Sequence, residues 1–465
     1  MSGGSYYDYT AAELAALGDA LARGPGQILF RGAAVVTADE AATVLPAGDV
    51  LVAGRSVAAV GADLRAQASP DAVVVNCRGT IIAPGFVDAH RHCWQGQLRR
   101  LIPDADIAGY WATIVGQGLA DAYRPEDMYA GVLIALAGAL DAGITTVVDF
   151  SHNSATSEHA DAVFAAYREA GARVVHVSCP PETDRWEPRW PGELVRLRDT
   201  YTDASAMVTL RLGINKRRRA PVTELMAMAR DEGLAITFDA ISGDRATAEL
   251  TGLAALGLLA PDVNLTHCNA LSPRAWDAIV ASGATVTVAP LSDEHFGIAD
   301  GLPPIRECME YGVRPGIGID VETGLPSDMF SQMRCLLATQ RQHATRAHYG
   351  SDAPAPRLLT VAEVLEFATR QGARTAGLDS VTGSIVAGED ADLIIIGAED
   401  INNLPLNSPV GTVVLGADPR NIAAVFVAGR LQKWDRQLVN HDAARIRALA
   451  RSSLAHLAGG QPHGI

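Results

Sequence analysis

Ile81-Ile82-Ala83-Pro84-Gly85-Phe86-Val87-Asp88-Ala89-His90-Arg91-His92 is a nearly continuous apolar run that stops on two histidines. An apolar run without polar alternation marks a strand covered on both faces, as in a parallel sheet. His90 and His92 lie two apart at its end, so both imidazoles leave one face of the strand. At that spacing they can share one divalent cation. As a bare pattern the pair is a weak signal, and its place at a strand end is what gives it weight. Seven further apolar runs follow, at 144–150, 173–178, 207–214, 235–240, 263–267, 284–289 and 313–319. Helical patterns between them include 125–142, 157–170, 221–232 and 273–282. Strands alternating with helices at this spacing indicate βα units. Eight such units fit a (β/α)8 TIM barrel over 81–375 better than an open doubly wound sheet. The GxGxxG expected after the first strand of a dinucleotide-binding open sheet is missing.

Chemistry on such a barrel sits where the strands end. Here the first run ends in His90-Arg91-His92, the second in Asp149-Phe150-Ser151-His152, the fifth in Asp239, the sixth in His267 and the eighth in Asp320. Polar, metal-capable residues stop five of the eight runs, a regularity that packing alone does not produce. Taken singly, Asp320 also suits a helix N-cap and His267 a satisfied core histidine.

The outer parts of the chain have another texture. Short β-rich runs at 28–38, 49–60 and 73–77 return near the far end at 391–396, 413–415 and 423–427. The expected organisation is a helical segment at 1–25, a composite β-sandwich from 26–80 and 376–440, the barrel, and a C-terminal helix and tail at 441–465. The composition, 48% hydrophobic and 20% charged, is that of a globular protein. A net charge of −15 opposes phosphate backbones and anionic lipid, so neither nucleic acid nor a membrane surface is an expected partner. No signal-peptide pattern and no apolar stretch of transmembrane length stands out. The six cysteines show no CxxC spacing, which suits a reduced cytoplasmic protein rather than a disulfide scaffold.

PGFVDAHRH resembles the first-strand signature of the amidohydrolase superfamily, in particular its cytosine deaminase, S-adenosylhomocysteine deaminase and chlorotriazine hydrolase members. Matching segments follow in order: Ala142 to Asp149, Leu265-Thr266-His267-Cys268, Pro290-Leu291-Ser292-Asp293, Gly316-Ile317-Gly318-Ile319-Asp320, Phe367 to Arg374 and Gly388 to Ile394. The resemblance implies a barrel flanked by a small sandwich. It also implies a divalent ion, Zn²⁺ ahead of Fe²⁺ or Mn²⁺, on His90 and His92, with Asp320 a ligand or proton shuttle. His267 would hydrogen-bond the reacting oxygen. A divalent ion makes hydroxide available near neutral pH, and a carboxylate beside it can carry the proton to a leaving group.

The chain departs from its relatives at the fifth strand. Ala235-Ile236-Thr237-Phe238-Asp239-Ala240-Ile241-Ser242 places Asp239 where they have a ligand histidine and Ser242 where they commonly have an acid. Asp239 can ligate the ion directly, or act through a water with His267 drawn in as a ligand. Losing the acid removes the group that deaminase relatives use to protonate a ring nitrogen, which argues against ordinary nucleobase deamination.

Trp94, Gln97, His152 and His295 are expected at the substrate, with Tyr110-Trp111 on the excursion that relatives fold over the pocket. Lys216-Arg217-Arg218-Arg219, just after the fourth strand, is a candidate for attracting a carboxylate at the pocket mouth. The expected activity is metal-dependent hydrolysis of a C–N or C–X bond in an aromatic or heteroaromatic small molecule, by a homo-oligomer (dimer or tetramer). Two alternatives stay open: Lewis-acid ring closure with loss of water, and a non-catalytic relative kept for assembly.

Overall fold

The computed structural model describes residues 5–180, 192–202, 205–215, 221–350 and 356–459. Eight strands run parallel in chain order around a barrel: Phe86–Arg91, Ile144–Ser151, Arg173–Ser178, Val208–Ile214, Ala235–Ser242, Val263–Asn269, Thr285–Val288 and Gly316–Ile317. The helices Pro125–Asp141, Ser157–Ala170, Val222–Asp231 and Pro273–Ser282 fall within a residue of their expected bounds. They cover the strands with Leu133, Leu136, Leu140, Phe164, Leu225, Met226, Trp276 and Ile279, all buried in one continuous core. Continuous apolar strands need such cover on both faces, and the helical periodicity supplies it.

The opening apolar run divides between two sheets. Thr80–Pro84 joins the outer sheet, and only Phe86–Arg91 enters the barrel. Gly85 makes the crossing possible, because a Cβ there would stand 2.1 Å from Thr145 Oγ1. Periodicity cannot show this division, since both halves are fully buried.

Both chain ends build a nine-stranded mixed sheet, folded as a β-sandwich beside the barrel. Its strands are Gln27–Val36, Val44–Ala53, Ser56–Gly61, Val73–Asn76, Thr80–Pro84, Leu393–Gly397, Ile422–Val427, Arg430–Trp434 and Gln437–Leu438. Phe30, Val50, Val75, Ile82, Leu393 and Phe426 form a separate core there. The strand expected at 413–415 is helical instead. Ser408 caps a turn begun by Pro409, and the turn continues through Thr412–Gly416. Val413 and Val414 are buried while Leu415 is exposed, so packing of one helical face overrides the β-propensity of the valines.

The C-terminal helix Ala443–Leu457, N-capped by Asp442, packs against Pro125–Asp141. No helix among the described residues is long and apolar enough to cross a membrane.

Candidate active site

The eighth barrel strand has only two residues, and it meets the first through a single bridge between Arg91 and Asp320. The Asp320 amide donates to His90 O at 2.8 Å and the His92 amide donates to Asp320 O at 2.9 Å. Gly318 permits this approach, since a Cβ there would lie 2.8 Å from His90. The closure puts the histidine pair and the eighth-strand carboxylate on either side of one seam.

Five groups converge at this end of the barrel. His92 Nε2 is 3.0 Å and His90 Nε2 3.5 Å from Asp320 Oδ1. Asp239 faces all three imidazoles, at 3.5 Å from His90 Nε2, 3.6 Å from His267 Nε2 and 3.9 Å from His92 Nε2. His267 Nε2 lies 3.9 Å from Asp320 Oδ2. Donor atoms of His90, His267 and Asp320, and those of His90, His92 and Asp239, form two overlapping sets compact enough for one ion.

The orientation of each imidazole suits ligation. His92 Nδ1 pairs with the carbonyl of Phe150 at 3.0 Å, and a carbonyl only accepts, so Nδ1 carries the proton and Nε2 faces the cluster. His267 Nδ1 lies 2.8 Å from Asp293 Oδ1, the carboxylate–imidazole pairing that fixes a ligand's ring. His90 is fully buried, yet neither ring nitrogen has a hydrogen-bond partner among the described residues. An orphaned buried imidazole 3.5 Å from two carboxylates fits a divalent ion between them.

The charges agree. Burial opposes a charge on His92, but Asp320 and Asp239 outweigh it and push the imidazole up to about 9. Burial likewise opposes a charge on His267, and Asp239 and Asp293 overcome it. Burial would raise Asp239 and Asp320; the imidazoles around them hold both carboxyls well below the usual range. Two carboxylates at this point draw in positive charge, which protons supply when no cation does. Backbone strain gathers here too. His267, Cys268 and Asp320 adopt φ of 74°, 63° and 69°, a left-handed conformation costing roughly 1–3 kcal/mol at a non-glycine residue.

A cavity of about 80 Å³ opens over the cluster. His92, His152, Asp239, Ser242, His267, Ser292 and Asp320 line its polar side, and Ile107, Tyr110, Trp111, Phe296, Ile298 and Val321 its apolar side. Gln95 Nε2 donates to the Tyr110 hydroxyl at 2.7 Å, steadying that aromatic wall. His152 reaches the cavity as expected, its ring 4.4 Å from that of His92. Burial, and then the neighbouring His92, lower it to about 3.

Three of the residues expected at the substrate do not line this cavity. Trp94 is buried behind His152, edge-on to it at 5.4 Å and to Tyr123 at 5.0 Å, and it does not line the cavity. Gln97 turns the other way, its Nε2 donating to Asp127 O at 3.2 Å and to Ser453 Oγ at 3.1 Å. A short 3₁₀ helix, Cys93–Leu98, begins right after His92, so proximity in sequence does not carry to the pocket. His295 is exposed: the segment after the seventh strand is a helix, Pro290–Phe296, that turns Ser292, Asp293 and Phe296 inward and His295 out. Lys216 to Arg219 lie outside the described residues. Asp149, two residues before the end of the second strand, faces away from the cluster, accepting from the Cys93 amide at 3.0 Å and the Tyr167 hydroxyl at 2.6 Å.

Reading the sequence missed Asp293 as the orienter of His267, and Ser292, whose hydroxyl donates to Asp320 Oδ2. The turn opened by Pro290 was visible, but pairings across 26 and 28 residues need the fold.

Residues 81–431 match the amidohydrolase family. A 5-methylthioadenosine/S-adenosylhomocysteine deaminase from Pelotomaculum thermopropionicum is 26% identical, covering 92% of this chain and 98% of that protein. Another, from Syntrophus aciditrophicus, is 25% identical over 88% of this chain and 93% of its own length. An adenosine deaminase from Xanthomonas campestris with bound zinc superimposes with a TM-score of 0.81 at 22% identity, covering 93% of this chain and 98% of its own. The zinc complex of an atrazine chlorohydrolase from Arthrobacter aurescens gives 0.80 at 21%, covering 92% and 100%. With its barrel, its strand-end cluster and a match spanning most of its length, the chain belongs to the amidohydrolase family and is a metal-dependent hydrolase.

Proposed function

We propose that this protein hydrolyses a C–N or C–halogen bond on a compact heteroaromatic ring, using one divalent ion, zinc, held by His90, His92 and Asp320 with Asp239 completing the set. The observation that carries the reading is His90, fully buried, with no hydrogen bond to either ring nitrogen among the described residues and its Nε2 3.5 Å from two carboxylates. Zinc-containing relatives of the same fold support the choice of ion. When bound, such an ion polarises the bond under attack and makes water acidic enough to react near neutral pH.

The protein's own groups do the rest. Asp320, fixed by Ser292, takes a proton from the attacking water. The oxygen forms a bond to the ring carbon, the bond to the leaving group breaks, and Asp320 returns the proton to it. Among the described lining residues the carboxyls are Asp239 and Asp320 alone, so Asp320 serves both transfers. His267, oriented by Asp293, presents its Nε2 edge to the oxygen that gains charge. Six apolar residues, among them Tyr110, Trp111 and Phe296, suit a flat, uncharged ring. Nothing in this arrangement favours ring closure or a scaffold without catalysis.

The test is a panel of amino- and chloro-substituted purines, pyrimidines and triazines, assayed before chelation, after it, and after zinc is restored. Turnover should vanish on stripping and return with zinc. Undiminished turnover by fully stripped protein, or none on any of these rings by zinc-loaded protein, would contradict the reading.

A further inference from the structure

Three of the groups assigned to the ion sit where two strands barely pair. His90 and His92 end the first barrel strand and Asp320 follows the eighth, with one bridge between them. Something else must hold that seam at its width.

Arg91 projects from the face opposite the two histidines and is fully buried. Its Nε donates to Asp88 Oδ2 at 2.5 Å and its Nη1 to Glu322 Oε1 at 2.7 Å. Asp88 touches both sides of the seam, since its Oδ1 accepts from the Ile319 amide at 2.9 Å and the His90 amide at 3.4 Å. Glu322 lies two residues past Asp320 and is itself held by Arg99 and by Ser327 Oγ at 3.0 Å. Further out, the Arg100 amide donates to Glu322 O at 3.0 Å and the Ile102 amide to Thr323 O at 3.0 Å. The four charged groups balance, and both carboxylates have a cation.

We propose that Arg91 is a positioning residue for the metal site, with Glu322 its anchor: the bridge Asp88–Arg91–Glu322 sets the spacing of His90 and His92 from Asp320, and through it the affinity for the ion. The inference rests on the metal-site reading above. Stability alone explains the bridge poorly, because buried ion pairs add little over apolar residues of the same shape. Geometry explains it better. A planar guanidinium presents fixed, divergent N–H groups to two carboxylates at once, whereas a lysine ammonium is a single rotatable point.

A second buried arginine supplies the control. Arg173 is as buried as Arg91 and pairs with Asp392 at 3.0 Å and Asp390 at 2.6 Å, but at the opposite end of the barrel. The experiment compares Zn²⁺ affinity, by competition with a chromogenic chelator, in the parent and in Arg91→Lys, Glu322→Gln and Arg173→Lys, with metal-free unfolding curves to fix the folded fraction. Arg91→Lys and Glu322→Gln should each weaken binding by the folded protein about 10-fold or more, the range for lost groups behind metal ligands. Arg173→Lys should lower the unfolding midpoint and leave affinity within about twofold, as expected for a distant site. If Arg91→Lys does not fold, the near-isosteric Glu322→Gln decides. The inference is overturned if the folded seam variants bind as tightly as the parent, or if Arg173→Lys weakens binding equally. A parent protein that binds no Zn²⁺ would bring down the metal-site reading and this inference together; a parent that binds tightly beside variants that bind equally tightly would bring down the inference alone.

Discussion

At the barrel end that meets the outer sheet, the buried arginine Arg173 has its charge and its hydrogen bonds met. Arg173 is bound by two carboxylates and by the carbonyl of Ala206, and Asp392 also accepts from the Ala428 amide. At the opposite end, neither ring nitrogen of His90 has a hydrogen bond among the described residues, and two carboxylates share one small volume. The chemistry of the two ends differs. A buried polar group whose bonds are all made holds the fold together. One whose bonds are left open and aimed at a common point is waiting for something the chain does not supply.

That contrast can be broken from either side. The largest effect is expected at Asp320. Asp320→Asn keeps the size of the side chain but cannot take a proton, so kcat should fall about 10²-fold or more while thermal unfolding changes little. A near-parent kcat would show that the shuttle is misassigned. At the other end, Arg173→Ala leaves Asp392 buried without its cation, while Asp390 keeps Arg55, and should cost about 3–5 kcal/mol in a denaturant titration. If kcat of the remaining folded protein dropped with it, the two ends would not be separable.

Asp239 sharpens the comparison, because it faces all three imidazoles. Asp239→His removes a negative charge from the site. A more positive site lowers the pKa of any group that must lose a proton to act, so the acidic limb of kcat/KM should move to lower pH. An unchanged limb together with unchanged zinc content would place Asp239 outside the ion's influence. The smallest effect is expected at Gln97, which ties the first-strand loop to Ser453 rather than facing substrate. Gln97→Ala should cost about 1 kcal/mol of stability, the scale of a lost hydrogen bond, and leave KM within twofold. A large rise in KM would return Gln97 to the pocket.

The sequence made the barrel legible because long apolar runs and helical periods repeat, and each repeat confirms the last. It also placed the strand-end residues, whose position follows from where apolar runs stop. Two things escaped it. The division at Gly85 lies between equally buried stretches, so no change of period announces it. The direction of a side chain on a short helical turn was misjudged for Gln97 and His295, because a loop assumed irregular turned out to be helical. Pairings that orient the site, such as His267 with Asp293 and Arg91 with Glu322, join residues far apart in the chain.

The central claim is that the open-bonded cluster is a metal site, and elemental analysis of purified protein tests it most directly. The parent should carry about one zinc or other divalent ion per chain, and a folded His90→Ala/His92→Ala double variant should carry almost none, as for a site that loses two of its ligands. A double variant that folds normally and keeps the parent's full metal content would contradict the assignment.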